Sequence, residues 1–83
     1  MRFDLALFEL RLFKSRSAAN IAIQDGSALL NGNVVKPSHG VKPGDRITMV
    51  VQSSRRTLEV VELPRAGLSR EAARAFLREV ATE

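Results

Sequence analysis

The sequence predicts an α+β fold: two N-terminal helices packed on a small, mostly antiparallel sheet, with a C-terminal helix. Three observations carry that expectation. Apolar residues recur at helical spacing before Gly26, the period switches to two after it, and a capped helical pattern returns at Ser69. A chain of 83 residues is sized for one compact core.

The first helix is predicted from Arg2 to about Phe13. Phe3, Leu7 and Leu10 form one apolar row and Leu5, Phe8 and Leu12 a second, while Asp4 sits in the first turn near the positive end of the helix dipole. Lys14-Ser15-Arg16 is a polar break. Ser17 is expected to cap a second helix, Ala18 to Asp25, which Gly26 closes. On it Ala18, Ile21 and Ala22 are expected inward. Arg16, Asn20 and Gln24 stand at i, i+4 and i+8 and make a polar stripe.

Alternation then takes over. Ala28 and Leu30 point one way, Asn31-Gly32 is a tight-turn signal, and Val34-Val35 resume as a strand. Lys42-Pro43-Gly44-Asp45 suits a type II turn, with proline second and glycine third. Ile47, Met49 and Val51 alternate with Arg46, Thr48 and Val50 in a half-buried strand. Ser53-Ser54-Arg55-Arg56 is expected to turn the chain into a strand over Thr57 to Val61, with Leu58 and Val60 inward. Pro64-Arg65-Ala66-Gly67 ends the sheet. Ser69 caps a last helix to about Val80, with Ala73, Phe76, Leu77 and Val80 on one face and Arg70, Arg74 and Arg78 on another.

Composition narrows the function. With no cysteine, disulfides and thiolate metal sites are excluded. The apolar runs fall far short of the ~20 residues of a membrane span, and Met1-Arg2-Phe3-Asp4 does not open a secretory signal, so a soluble, cytoplasmic protein is expected. The net charge of +4 is unevenly spread: residues 1–58 hold nine Lys/Arg against four Asp/Glu, residues 59–83 four against five. A polyanion would be drawn to the first two thirds of the chain.

The parts of a catalyst are missing. His39 is the one histidine and stands beside Gly40 in a turn-rich segment, with no carboxylate at metal spacing. No serine sits in a nucleophile elbow and no glycine loop of the phosphate-binding kind opens a helix. Asp4, Asp25 and Asp45 stand where capping explains them. The chain is therefore read as no enzyme, with no cofactor and no metal.

The remaining constellation is Arg2, Arg11, Lys14, Ser15, Arg16, Asn20 and Gln24, joined by Lys36 beyond the hairpin. Arginine and lysine neutralise phosphates, and serine, asparagine and glutamine can donate to phosphate, ribose hydroxyls and base edges. The alternative is a solvated polar face. Arg70, Arg74 and Arg78 have Glu71 and Glu79 beside them and are read as plain solvated surface.

An ordered set of short motifs adds to this. Arg2-Phe3-Asp4, Leu7, Ser15-Arg16-Ser17-Ala18, Ile23-x-x-Gly26, Leu30-Asn31-Gly32 and Val41-x-x-Gly44-Asp45-x-Ile47 follow one another with the order and spacing of a known family. The segment from Met1 to Val51 resembles the RNA-binding domain named after ribosomal protein S-four, the αL motif. Phe13-Lys14-Ser15-Arg16, Asn31-Gly32, Val35-Lys36-Pro37-Ser38 and Arg56-Thr57 resemble, more narrowly, the ribosome-associated heat-shock protein fifteen subfamily.

The resemblance implies that residues 1–63 form the αL RNA-binding domain and residues 64–83 a helical extension packed on it. It implies a two-helix surface for structured RNA, ribosomal RNA or the large ribosomal subunit, with Arg2, Lys14, Ser15, Arg16, Asn20 and Lys36 facing it. Arg11 falls where the heat-shock subfamily is also basic. The chain departs from that subfamily at Leu5, where lysine is usual, and at Ala6 and Phe8, where tryptophans are. Glu9 adds an acid. These departures make Leu5, Phe8 and Phe13 candidates for a protein contact, so a second reading is an interaction or homodimerisation module with RNA contact secondary. Cover of that row by the C-terminal helix is favoured over self-association. A third reading, the targeting domain of an enzyme such as a pseudouridine synthase, finds no room for a catalytic domain in these residues.

Overall fold

The computed structural model describes residues 1–82. Two short helices, α1 (Phe3–Glu9) and α2 (Arg16–Gln24), precede the strands β1 (Ala28–Leu30), β2 (Arg46–Val51) and β3 (Ser54–Val60). One helical turn, α3 (Arg70–Ala73), continues as a 3-10 turn (Arg74–Phe76) and then as β4 (Leu77–Thr82). The strands form one antiparallel sheet in the order β1-β2-β3-β4. The α+β fold class is as the sequence predicts.

α1 stops well before Phe13, and the stop carries no glycine. Arg11 takes a left-handed φ of 60°. Its amide donates to the Phe8 carbonyl at 3.0 Å and the Leu12 amide to the Leu7 carbonyl at 3.1 Å. That pair is a Schellman closure with arginine at the position where glycine is usual. α2 closes in the same way on Gly26, at φ 84°, with the Ser27 amide donating to the Ala22 carbonyl at 2.9 Å.

The cap of α2 is Ser15 and not Ser17. Ser15 is extended, at φ −152° and ψ 160°, and its Oγ accepts from the Ala18 amide at 3.0 Å. The helix thus takes Arg16 and Ser17 into its first turn. Its inward face also differs from expectation, being Ala19, Ala22 and Ile23, while Ile21 is 64% exposed. Residues 19, 22 and 23 stand at i, i+3 and i+4 and lay small side chains against α1. Ser15→Ala should lower stability by about 1 kcal/mol, and Ser17→Ala should barely change it. Urea melts of the two variants check this, and equal losses would mean the cap is misplaced.

Asn31 (φ 51°) and Gly32 (φ 81°) make the expected tight turn, closed by reciprocal bonds between Leu30 and Asn33 at 3.0 Å. The ladder goes no further, and Val34-Val35 is not a strand. Instead the turn is latched to the head of β2: Asn31 Oδ1 accepts from the Arg46 amide at 2.9 Å and Asn31 Nδ2 donates to Asp45 at 3.2 Å. The chain then returns to α1, where the Pro37 and His39 carbonyls accept the Asp4 and Phe3 amides at 3.1 and 2.8 Å. The Lys42–Asp45 turn is as expected, with Gly44 at φ 94° and the Asp45 amide donating to the Lys42 carbonyl at 3.1 Å. The β2–β3 connection is tighter than expected, two residues with Gln52 at φ 56°, so β3 already begins at Ser54.

The C-terminal helix is capped by Ser69, whose Oγ accepts from the Ala72 amide at 3.0 Å, but it does not reach Val80. From Leu77 the chain is a strand beside β3, with Val60 opposite Leu77 and Glu59 opposite Arg78. The reason is tertiary. β3 would otherwise leave a row of unpaired backbone groups, and β4 satisfies them while Arg78–Glu59 and Arg56–Glu79 pair across the strands. Arg78 therefore does not share a helical face with Arg70 and Arg74.

A single apolar cluster holds the layers together. Phe3, Leu7 and Leu10 of the α1 segment, Ile23 of α2, Ile47 and Val60 of the sheet and Phe76 are all buried in it. Leu12, Phe13 and Leu77 pack against its edge. Leu5 and Phe8 are half-buried, with the Arg11 guanidinium 5.7 Å above the Phe8 ring, so α1 presents no free apolar row.

Candidate nucleic-acid interface

Asp4 organises the basic surface. Its side chain is 3% exposed, in the first turn of α1 where the N-terminus of α2 crosses. Arg2 Nε and Nη2 each donate to one of its oxygens at 3.1 Å, a two-pronged grip. The Leu5 amide donates at 2.7 Å, Asn20 Nδ2 at 3.4 Å, and Arg16 Nε lies 3.6 Å away. Burial alone would push the Asp4 carboxyl up. The Arg2 hydrogen bonds, with those of Leu5 and Asn20 and the charge of Arg16, outweigh it and hold its pKa below the ordinary value.

The two arginines are fixed from below and open above. Their side chains are 50% and 48% exposed. Each guanidinium has five N–H donors, and Asp4 takes only part of that number. Asn20 in turn accepts from Gln24 Nε2, so Gln24, Asn20 and Asp4 form one hydrogen-bonded chain. Arg2, Arg16, Asn20, Ser17 and Ile21 line an open cleft of about 400 Å³ with Asp4 at its base. Such a surface can hold phosphate oxygens on rigid guanidiniums and set an apolar side chain, Ile21, beside a sugar or base.

The eight residues singled out from the sequence do not form one patch. Arg2, Arg16 and Asn20 come together on Asp4, and Gln24 joins them through Asn20. Lys36 is exposed in the loop whose backbone is bound to the start of α1, on the side of Arg2. Ser15 spends its oxygen on the cap of α2 and keeps a hydroxyl hydrogen to donate. Arg11 and Lys14 stand elsewhere: Arg11 Nε donates to the Leu68 carbonyl at 2.7 Å, and Lys14 borders a hollow shared with Arg11, Phe13 and Arg70. Sequence reasoning missed Asp4 as the organiser, and with it Ser17 and Ile21. The one available signal was the stripe at 16, 20 and 24, which needs a partner on another helix. Among the described residues the His39 ring makes one hydrogen bond, with Nδ1 2.9 Å from the Gly40 carbonyl. Among the described residues no group of three His, Cys, Asp or Glu could hold a metal ion, and no helix is long and apolar enough to cross a membrane.

The organising residues all lie in the first 47 positions, and the family model described as the S4 domain matches residues 1–47. This chain belongs to the S4 domain family. Its S4 domain segment carries α1, α2, β1, the Lys36 loop and the first residues of β2, and with them the whole Asp4 cleft. Similarity extends further along the chain. The RQC P-site tRNA stabilizing factor of Bacillus subtilis is 37% identical over 76 residues, covering 92% of this chain and 88% of that protein. The trimeric structure of Vibrio cholerae Heat Shock Protein 15 superposes with a TM-score of 0.89 at 28% identity, covering 98% of this chain and 82% of that one. The S4 domain here is thus embedded in the architecture of the heat-shock protein fifteen group, β4 included.

Proposed function

We propose that this chain is a non-catalytic RNA-binding protein of the cytoplasm that holds structured RNA, ribosomal RNA of the large subunit, through its basic helical surface. The observation that carries the reading is the Arg2–Asp4–Arg16 cluster: two half-exposed guanidiniums on one buried carboxylate, Arg2 gripping it with two hydrogen bonds and Arg16 paired with it at 3.6 Å. Fixing the arginines before binding removes part of the entropy cost of ordering them on a phosphate. Asn20 and Gln24 extend the contact along α2, Lys36 flanks it, and Ser15 donates from the helix start. Arg11 and Lys14 add charge beyond the bend.

Membership of the S4 domain family supports RNA as the ligand class. A relative whose name places it on P-site tRNA, and a heat-shock protein of the same fold, support a ribosomal setting. The A-form major groove hides base edges, so the cluster suits the shape and backbone of a folded RNA better than a base sequence. The test is co-sedimentation of the purified chain with separated ribosomal subunits at ~50 and ~200 mM salt. Phosphate-driven binding should appear with the large subunit and fall by orders of magnitude between the two conditions. Pelleting that ignores salt, or none at low salt, would refute the reading.

A further inference from the structure

We infer that the chain carries a second RNA-backbone site, in the hollow between the α1–α2 link and the C-terminal segment. The inference rests on the reading of the protein as RNA-binding and extends it to a face that residues 1–47 of the S4 domain match share with β3 and the C-terminal segment. Arg11, Arg56, Arg70 and Arg74 line this hollow of about 200 Å³, over an apolar floor that includes Leu12 and Leu77. Lys14 borders the adjoining hollow beside Arg11 and Arg70.

Three features set this cluster apart from scattered surface arginines. First, it is assembled from three separated stretches, the link after α1, β3 and the turn of α3, so folding forces like charges together. Second, counter-charge is scarce. Among the described residues Arg56 pairs with Glu79, at 2.9 Å, while Arg11, Arg70, Arg74 and Lys14 make no ion pair. Third, Arg11 is held firmly: its Nε is spent on the Leu68 carbonyl at 2.7 Å and its plane lies over Phe8, which leaves its outer edge for a ligand. It takes this position at a left-handed φ of 60°, which glycine adopts more cheaply.

Arg70 and Arg74 stand at i and i+4, neighbours on one face of the turn. Several planar forks above a shallow floor fit the oxygens of consecutive phosphates along a strand. This hollow and the Asp4 cleft share no residue, so one molecule can grip two RNA segments at once.

The experiment uses the full chain and ribosomal RNA stem-loops, with wild type, Arg2→Ala/Arg16→Ala and Arg70→Ala/Arg74→Ala compared in a salt series. Loss of two phosphate contacts in the Arg70→Ala/Arg74→Ala variant should flatten the slope of log affinity against log salt by about 1.4–1.8. Two stem-loops with different dyes should show energy transfer with wild type and none with either double variant. Arg70→Gln/Arg74→Gln should reproduce the loss, and an unchanged melting temperature in both Arg70/Arg74 variants shows that this pair does not act through the fold. If the Arg70/Arg74 pair binds with wild-type affinity and slope while the Arg2/Arg16 pair does not, the second site is wrong and the first stands. The hollow would then be a surface for something else, an acidic protein among the choices. If only the Arg70/Arg74 pair matters, the second site stands and the Asp4 cleft falls. If wild type binds no RNA, both fall.

Discussion

Arg2→Ala/Arg16→Ala should cost RNA affinity more than any other pair of surface changes in this protein. Each arginine offers a charge-assisted contact worth ~1.5–3 kcal/mol when fully engaged, and the pair shares one cleft. Single substitutions should therefore weaken binding by about 10- to 100-fold, and the double variant by less than the product. The shortfall follows from the carboxylate they share: once one arginine is removed, Asp4 draws the other more strongly, so the remaining guanidinium engages a phosphate less fully and its loss costs less. The salt dependence should flatten by about 0.7–0.9 for each contact removed. Arg55→Ala, an exposed arginine on β3 outside both basic hollows, is the charge-matched control. Fluorescence anisotropy with a ribosomal RNA stem-loop across a salt series measures wild type and the four variants. If Arg55→Ala weakens binding as much as Arg16→Ala, the protein attracts RNA only by its net charge and the cleft has no special part.

How much of this was legible depends on whether the cause is local. Gly26, Asn31-Gly32 and Lys42-Pro43-Gly44-Asp45 announce their turns because the residue types themselves supply the required φ angles. The end of α1 was hidden because Arg11 adopts a left-handed conformation that nothing in its side chain signals. Its stabilisation comes from Leu68 and Phe8, one of them distant in sequence. β4 was hidden for the same reason. Leu77-Arg78-Glu79 has ordinary helix propensity, and only the open edge of β3, with the cross-strand pairs to Arg56 and Glu59, turns it into a strand.

The candidate surface divides in the same way. The stripe of Arg16, Asn20 and Gln24 is a property of one helix and was readable from spacing alone. Its focus on Asp4 requires α2 to cross the start of α1, a fact of packing. The rotation of α2 that turns Ile21 outward is likewise set by how closely Ala19 and Ala22 let the helices approach. Arg70 and Arg74 share a hollow with Arg11 and Arg56 only in the folded chain, and no pattern within residues 64–83 carries that.

Asp4→Asn should lower both stability and RNA affinity, although it makes the protein more positive. The substitution keeps the shape and one acceptor but removes the charge that Arg2 grips with two hydrogen bonds and that Arg16 faces. Hydrogen bonds to a charged group contribute ~1.5–3 kcal/mol, and half-exposure of both arginines puts the expected loss of stability toward the lower end. The acid limb supplies an independent reading. Because folding lowers the Asp4 pKa from its ordinary value of 3.8, the unfolded chain binds more protons near that pH, and stability rises with pH there. The contribution is complete above 3.8 and disappears as pH falls through the lower, folded value. Asp4→Asn should flatten this limb without abolishing it, since Asp45 is lowered too, burial being outweighed by the hydrogen bonds from Lys42 and Asn31. On RNA the two effects of the change oppose one another: an added positive charge strengthens long-range attraction, while loosened arginines bind less well at contact. The prediction is that contact wins, with affinity down at least several-fold and a salt slope no shallower than wild type. Denaturant melts from pH 2 to 7 and RNA titrations at neutral pH test the two halves separately. An Asp4→Asn protein that binds RNA more tightly than wild type would reduce Asp4 to a charge that folding tolerates, and would remove the idea that it holds the arginines in place.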